Sequence, residues 1–170
     1  VQKRIKKYYH LDSVVIHPPL KGNRKIKKVN LPFDNYYLVV SRLVSYKKVN
    51  IAVDSFNKSG RNLIIVGVGH EQKKLQKLAK HNIYFYGFAA ERELNYLYKN
   101  AKALIMPQHE DFGLVGIEAQ SMGIPVIAFK KGGSLDTIEN TKTGIFFEKQ
   151  TSNSLNQAID RFEKMQFDSN

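Results

Sequence analysis

PQHEDFGLVGIEAQSMGIPVIAFKKGG, running from Pro107 to Gly133, is the stretch on which the reading of the whole chain turns. Phe112-Gly113 is a turn that opens an amphipathic helix near Leu114. Gly123-Ile124-Pro125 closes that helix and starts a strand over 125–128. The strand is a short, unbroken apolar run rather than an alternating one. Such runs belong to strands covered on both faces, as in parallel sheets packed between helices.

The same punctuation repeats on either side. Apolar runs of strand length recur at 36–40 (YYLVV), 62–66 (NLIIV), 83–86 (IYFY), 103–106 (ALIM) and 144–147 (GIFF). Between and after them the helical period predicts helices over about 48–59, 71–81, 91–100, 114–122, 134–140 and 152–165. Strands alternating with helices of this size form βαβ units. The expected fold class is α/β: a Rossmann-like parallel sheet with helices on both faces. Ahead of it, residues 2–9 read as a short basic helix and Ser13–Ile16 as a strand stopped by Pro18-Pro19. Residues 21–35 read as a polar, Lys-rich connector.

The chain has 170 residues, enough to bury a real core, and its 42% hydrophobic content excludes a disordered polymer. It contains no Cys, which removes disulfides, thiolate metal sites and a Cys nucleophile and suits a reducing, intracellular setting. No apolar run reaches the ~20 residues of a membrane-spanning helix, and no apolar core follows the basic N-terminus to make a signal peptide. The net charge is +12, and residues 1–28 carry nine bases against Asp12 alone. A basic end of this kind is either a solvated surface or a contact for nucleic acid, anionic lipid or a phosphorylated ligand. Lys outnumbers Arg by 21 to 6, which weighs against nucleic acid, where Arg is the better bidentate reader.

In an open parallel sheet ligands lie beyond the carboxyl ends of the strands. The fold alone therefore directs attention to Ser41-Arg42, Gly67-Val68-Gly69, Gly87-Phe88, Pro107 to Gly113 and Lys130 to Ser134. Gly67-Val68-Gly69 follows a strand, but the dinucleotide fingerprint fails because Gln72 stands where its third Gly would be. Two readings stay open for it, a plain tight turn and a turn lining a nucleotide. No Walker loop and no nucleophile elbow occur. Glu110 closes the loop after the strand at 103–106, and Glu118 lies early in the following helix. Free N–H groups near Gly113 suit a diphosphate, and two carboxylates beside them suit hydroxyl groups. The alternative is an exposed Glu110 and a Glu118 that only complements the helix dipole. His109-Glu110-Asp111 is not expected to hold a metal, because three adjacent loop residues rarely converge on one ion.

These residues, taken in order, resemble the retaining GT-B glycosyltransferases of family 4, and within them the mannosyltransferase-like group. The E-x7-E signature is Glu110 to Glu118, followed by Ala119-Gln-Ser-Met-Gly123-Ile-Pro125. Ser41-Arg42-Leu43-Val44-Ser45-Tyr46-Lys47 resembles the Arg-Leu…Lys element, and Ile65 to Gly69, Tyr86-Gly87-Phe88, Glu93-Leu94, Tyr98, Gly132-Gly133 and Thr143-Gly144 follow in the expected sequence. Lys48 stands where a Gly is common, and Asp136 where Glu is common.

The resemblance implies a division into a crossing segment over 1–35, leading from an acceptor domain, and a nucleotide-sugar donor-binding domain over 36–170. A GT-B enzyme has two such domains, so the chain is expected to be the donor half and to transfer no sugar alone. Arg42 and Lys47 would hold the donor diphosphate, with Glu110 accepting from sugar hydroxyls; these form the catalytic set. Phe112, Gly113 and Leu114 would meet phosphate and sugar through their backbone, Glu118 would hold the ribose, and Gly87 and Phe88 would lie near the base. GDP-mannose is the donor expected, with no cofactor and no metal. The other partners implied are the acceptor domain and an anionic membrane surface met by the basic N-terminal region, with no nucleic acid. The location implied is cytoplasmic, peripheral to the inner face of the membrane. The competing readings are half of a GT-B epimerase or phosphorylase, and a non-catalytic nucleotide- or nucleic-acid-binding module.

Overall fold

A computed structural model describes residues 2–16, 18–20 and 25–165. His17 and residues 21–24 of the expected connector lie outside them. The six expected strands are all present: β1 (Tyr37–Val40), β2 (Leu63–Val66), β3 (Ile83–Gly87), β4 (Leu104–Met106), β5 (Val126–Phe129) and β6 (Gly144–Phe147). They form one parallel sheet in the order β3-β2-β1-β4-β5-β6. The helices are α1 (Gln2–Tyr9), α2 (Val49–Ser59), α3 (Gln72–Leu78), α4 (Glu91–Lys99), α5 (Leu114–Gln120), α6 (Ser134–Thr137) and α7 (Ser152–Phe162).

Strand residues alternate between two apolar layers, which is why the strands read as unbroken apolar runs. Tyr37, Val39, Leu63, Ile65, Ile105, Ile127 and Phe147 pack with Phe56 of α2 and Leu155, Ile159 and Phe162 of α7. Leu38, Ile64, Val66, Leu104, Met106, Val126 and Ala128 pack on the other face with Leu97 and Tyr98 of α4 and Ala119 of α5.

Three expectations fail in instructive ways. Ser13–Ile16 is not a strand: the segment is irregular, and Val14 and Ile16 are 87% and 88% exposed. A β-branched run has the propensity, but it reaches no sheet edge, and strands are stabilised by cross-strand partners. Helix α6 ends at Thr137 rather than 140, because Ile138 turns extended and is buried in the second layer. α3 likewise stops before the extended Ala79. Among the described residues no helix is long and apolar enough to cross a membrane.

One polar cluster ties α7 to the sheet. Arg61, just ahead of β2, donates to Glu163 Oε1 at 3.1 Å, to Glu163 Oε2 at 2.7 Å and to Asp160 Oδ1 at 2.6 Å. The buried Tyr37 hydroxyl donates to Glu163 Oε1 at 2.8 Å. The Arg61 guanidinium, seconded by that hydroxyl, holds the Glu163 carboxyl below its ordinary range. A carboxyl whose folded pKa is depressed contributes stability above its unfolded pKa, and that contribution is lost as pH falls through the lower, folded value. Arg61→Ala is therefore expected to cost about 1–3 kcal/mol near neutral pH, the range for charge-assisted bonds. The gap from the parent should narrow as Glu163 protonates. Urea unfolding at neutral pH and at pH about 3 measures both; a gap that is the same at the two pH values contradicts the assignment.

Candidate functional site

The strand order reverses direction between β1 and β4, so the loops leaving these two strands diverge and open a crevice. Each wall is built by close backbone packing. After β1 the chain runs through Ser41-Arg42 to the fully buried Leu43, then a 3₁₀ turn at Ser45–Lys47. Ser41 N–H donates to Val66 O at 3.0 Å, Leu43 N–H to Val68 O at 3.0 Å, and Glu71 N–H to Leu43 O at 3.0 Å. This pins the Arg42 loop onto the turn after β2. A Cβ at Gly67 would lie 1.9 Å from Ser41 O, and one at Gly69 would lie 2.2 Å from Leu43 O. Both glycines are thus required by loop-to-loop contact, in line with the tight-turn reading of Gly67-Val68-Gly69.

After β4, Pro107, Gln108, His109 and Glu110 form the facing wall. Glu110 O accepts from Gly133 N–H at 2.7 Å, and Pro107 O accepts from the Gln150 side chain at 2.9 Å. The turn of chain at Gly132-Gly133 after β5 lies so close that a Cβ at Gly132 would be 2.2 Å from Glu110 O. Lys48, where a Gly is common in the resembling family, adopts a left-handed conformation with φ 54°. That backbone explains the preference for Gly, which carries no steric penalty there.

The two walls bring Lys47 and Glu110 together. Lys47 Nζ forms an ion pair with Glu110 Oε1, and both side chains are mostly buried, 18% and 19% exposed. Gln108 Nε2 donates to the same oxygen at 2.8 Å. Glu110 is therefore not the solvated carboxylate that one reading of the sequence allowed. Lys47, Glu110, Phe112, Gly113 and Leu114 line one cavity of about 650 Å³, whose outer wall is Ile5, Val14, Val15 and Pro18. Arg42 is exposed beside it, its Nη2 donating to Tyr46 Oη at 2.6 Å. Asp111 at the rim pairs loosely with Arg4 of α1, at 3.7 Å.

Glu118 lies elsewhere, facing a smaller cavity of about 290 Å³ that shares Pro18 and Leu114 with the first and includes Leu94 and Tyr98. Its Oε2 accepts from the buried Tyr98 hydroxyl at 3.2 Å, so it does more than face the dipole of α5. Gly87 has φ 82°, and Phe88 is 78% exposed at the end of β3, lining neither of these cavities. Among the described residues no three His, Asp or Glu side chains gather as metal ligands would.

Gln108 and Tyr98 are the residues that reasoning from the sequence gave no role. A Gln directly after a strand carries no pattern, and Tyr98 has the spacing of an ordinary core residue on α4. Only the folded structure shows that each touches one of the two acidic side chains.

The comparisons agree with this architecture. An uncharacterized glycosyltransferase of Methanocaldococcus jannaschii is 29% identical over 134 residues, covering 73% of this chain and 34% of that protein. A glycogen synthase of Thermodesulfovibrio yellowstonii is 32% identical over 133 residues, covering 72% of this chain and 27% of that protein. The Anabaena HepE structure in complex with UDP and glucose superposes with a TM-score of 0.67 at 26% identity, covering 75% of this chain and 38% of HepE. The chain thus spans about a third of the length of the relatives it matches. The family described as glycosyl transferases group 1 matches residues 23–170, and the chain belongs to it.

Proposed function

We propose that residues 36–170 are the donor-binding half of a retaining glycosyltransferase, holding a nucleoside-diphosphate hexose in the crevice between β1 and β4. The observation that carries this reading is the Lys47–Glu110 pair, drawn from two different walls onto one cavity at the point where strand order reverses. Arg42 and Lys47 supply fixed positive charge for the departing diphosphate, where negative charge grows as the sugar–phosphate bond breaks. Glu110 accepts from sugar hydroxyls and Glu118 from the ribose. A carboxylate already bound by an ammonium and an amide is a weak nucleophile, so Glu110 is assigned to hydroxyl recognition and not to covalent attack.

The resemblance pointed to GDP-mannose. The solved relative HepE holds UDP and glucose, and another relative is named a glycogen synthase. We therefore take a UDP-hexose as the donor class to test first and GDP-mannose as its competitor. A thermal-shift panel of UDP, GDP, ADP and their sugars ranks the bases.

The two carboxylates are then separated by calorimetric titration with the preferred nucleotide and its sugar. Glu118→Ala is expected to weaken both ligands alike, by about 5–150-fold for a lost bond to a charged acceptor. Glu110→Gln, which keeps the shape, and Glu110→Ala are expected to weaken the sugar nucleotide alone. Equal losses for both ligands on changing Glu110 would move it off the sugar.

A further inference from the structure

Gln108 has no part in the roles assigned above, yet it is the first side chain beyond Pro107 at the exit of β4 and is only 3% exposed. A buried amide must place its N–H donors and its carbonyl on partners inside the protein. One N–H is placed on Glu110 Oε1, at 2.8 Å. Lys47 Nζ reaches the same oxygen. Neither of these contacts uses Oε2. The wall that carries Gln108 is itself fixed at both ends, through Gln150 on Pro107 O and Gly133 on Glu110 O.

The two partners of Glu110 differ in kind. Lys47 ends in a point charge on a flexible stem and is drawn to any phosphate that enters the crevice. Gln108 is neutral, packed and indifferent to phosphate. When a diphosphate engages Lys47, the amide is the partner that stays on the carboxylate.

We infer that Gln108 is a positioning residue for sugar recognition: it holds the Glu110 carboxylate in one orientation, Oε1 on the protein and Oε2 toward the ligand, independently of where Lys47 is engaged. A carboxylate oriented in advance loses less side-chain freedom when a sugar hydroxyl arrives. The inference rests on the reading of Glu110 as the sugar-contacting carboxylate, and the experiment separates the two.

The test titrates the chain with UDP and with UDP-glucose in four forms: parent, Gln108→Leu, Glu110→Ala and the double variant. Gln108→Met is run alongside, because its unbranched side chain keeps the volume should Leu disturb the packing. Gln108→Leu and Gln108→Met are expected to weaken UDP-glucose by about 5–10-fold, the effect of about one lost hydrogen bond, and to leave UDP unchanged. In the Glu110→Ala background the Gln108 change is expected to do nothing further, since its target is gone. A structural role alone would weaken UDP and UDP-glucose together, and that result overturns the inference. So does a Gln108 effect that survives in full without Glu110, or unchanged UDP-glucose binding in both Gln108 variants while Glu110→Ala weakens it. If Glu110→Ala itself leaves UDP-glucose binding intact, the assignment of Glu110 to the sugar fails, and the role of Gln108 fails with it.

Discussion

Gly67→Ala is expected to lower the unfolding free energy by about 3–5 kcal/mol, combining the costs of backbone strain and of overpacking. The added Cβ would lie 1.9 Å from Ser41 O, a backbone atom that cannot rotate aside, at a residue whose φ is 127°. Relief requires the loop after β1 to move off the turn after β2, breaking the Ser41–Val66 and Leu43–Val68 hydrogen bonds. For a chain of this size the melting temperature should fall by roughly 8–15 °C. Gly60→Ala is the control: φ is 73° but nothing lies within 4 Å of the new Cβ, so only the left-handed strain of about 1 kcal/mol remains. Denaturant unfolding of the two variants checks this. Similar losses at both positions would mean that the close approach of the two loops is not what Gly67 serves.

Charge removal at the crevice has the second large effect. Arg42→Ala and Lys47→Ala are each expected to weaken nucleoside-diphosphate binding by about 1–3 kcal/mol, the range for a lost hydrogen bond to a charged group. The two should differ in their side effects. Arg42 is exposed and touches Tyr46 Oη, so its variant should melt close to the parent. Lys47 is mostly buried against Glu110, and its loss leaves that carboxylate with the Gln108 amide but without its counter-charge. Lys47→Ala should therefore also destabilise the chain, and Lys47→Ala with Glu110→Ala should recover part of that loss. Added salt should shrink the Arg42 effect more than the Lys47 effect, because exposed charges are screened more strongly. Calorimetry at two salt concentrations, read beside the melting curves, checks each point. Variants that melt like the parent and bind the nucleotide equally well would remove both cations from the phosphate.

Local pattern and global arrangement divide this protein cleanly. The six strands were legible because each is a short apolar run between turn residues, a signal carried by a handful of neighbours. The α5 start at Phe112-Gly113 and the turn at Gly123 that follows the helix were legible for the same reason, since both glycines adopt the left-handed backbone that such turns require, although the helix itself stops earlier, at Gln120. The positions worth inspecting followed from the fold class, because an open parallel sheet puts its ligand beyond the strand ends.

The failures and the gaps are non-local. Val14, Val15 and Ile16 have the composition of a strand, but they pair with no strand of the sheet. Nothing in the spacing distinguished a Gly67-Gly69 turn that lines a ligand from one that receives the Ser41–Leu43 loop. The Lys47–Glu110 contact joins residues 63 positions apart, and it exists because the sheet places β1 beside β4. Composition and periodicity thus set the α/β class, the elements and the list of strand-end residues, since apolar periodicity is read within one strand or helix. Which of those residues meet, that Gln108 is buried against Glu110 and Tyr98 against Glu118, and which glycines are obligatory came from the folded arrangement alone. The physical reason is that side chains from separate loops converge only once strand order and loop packing have set the distance between their backbones.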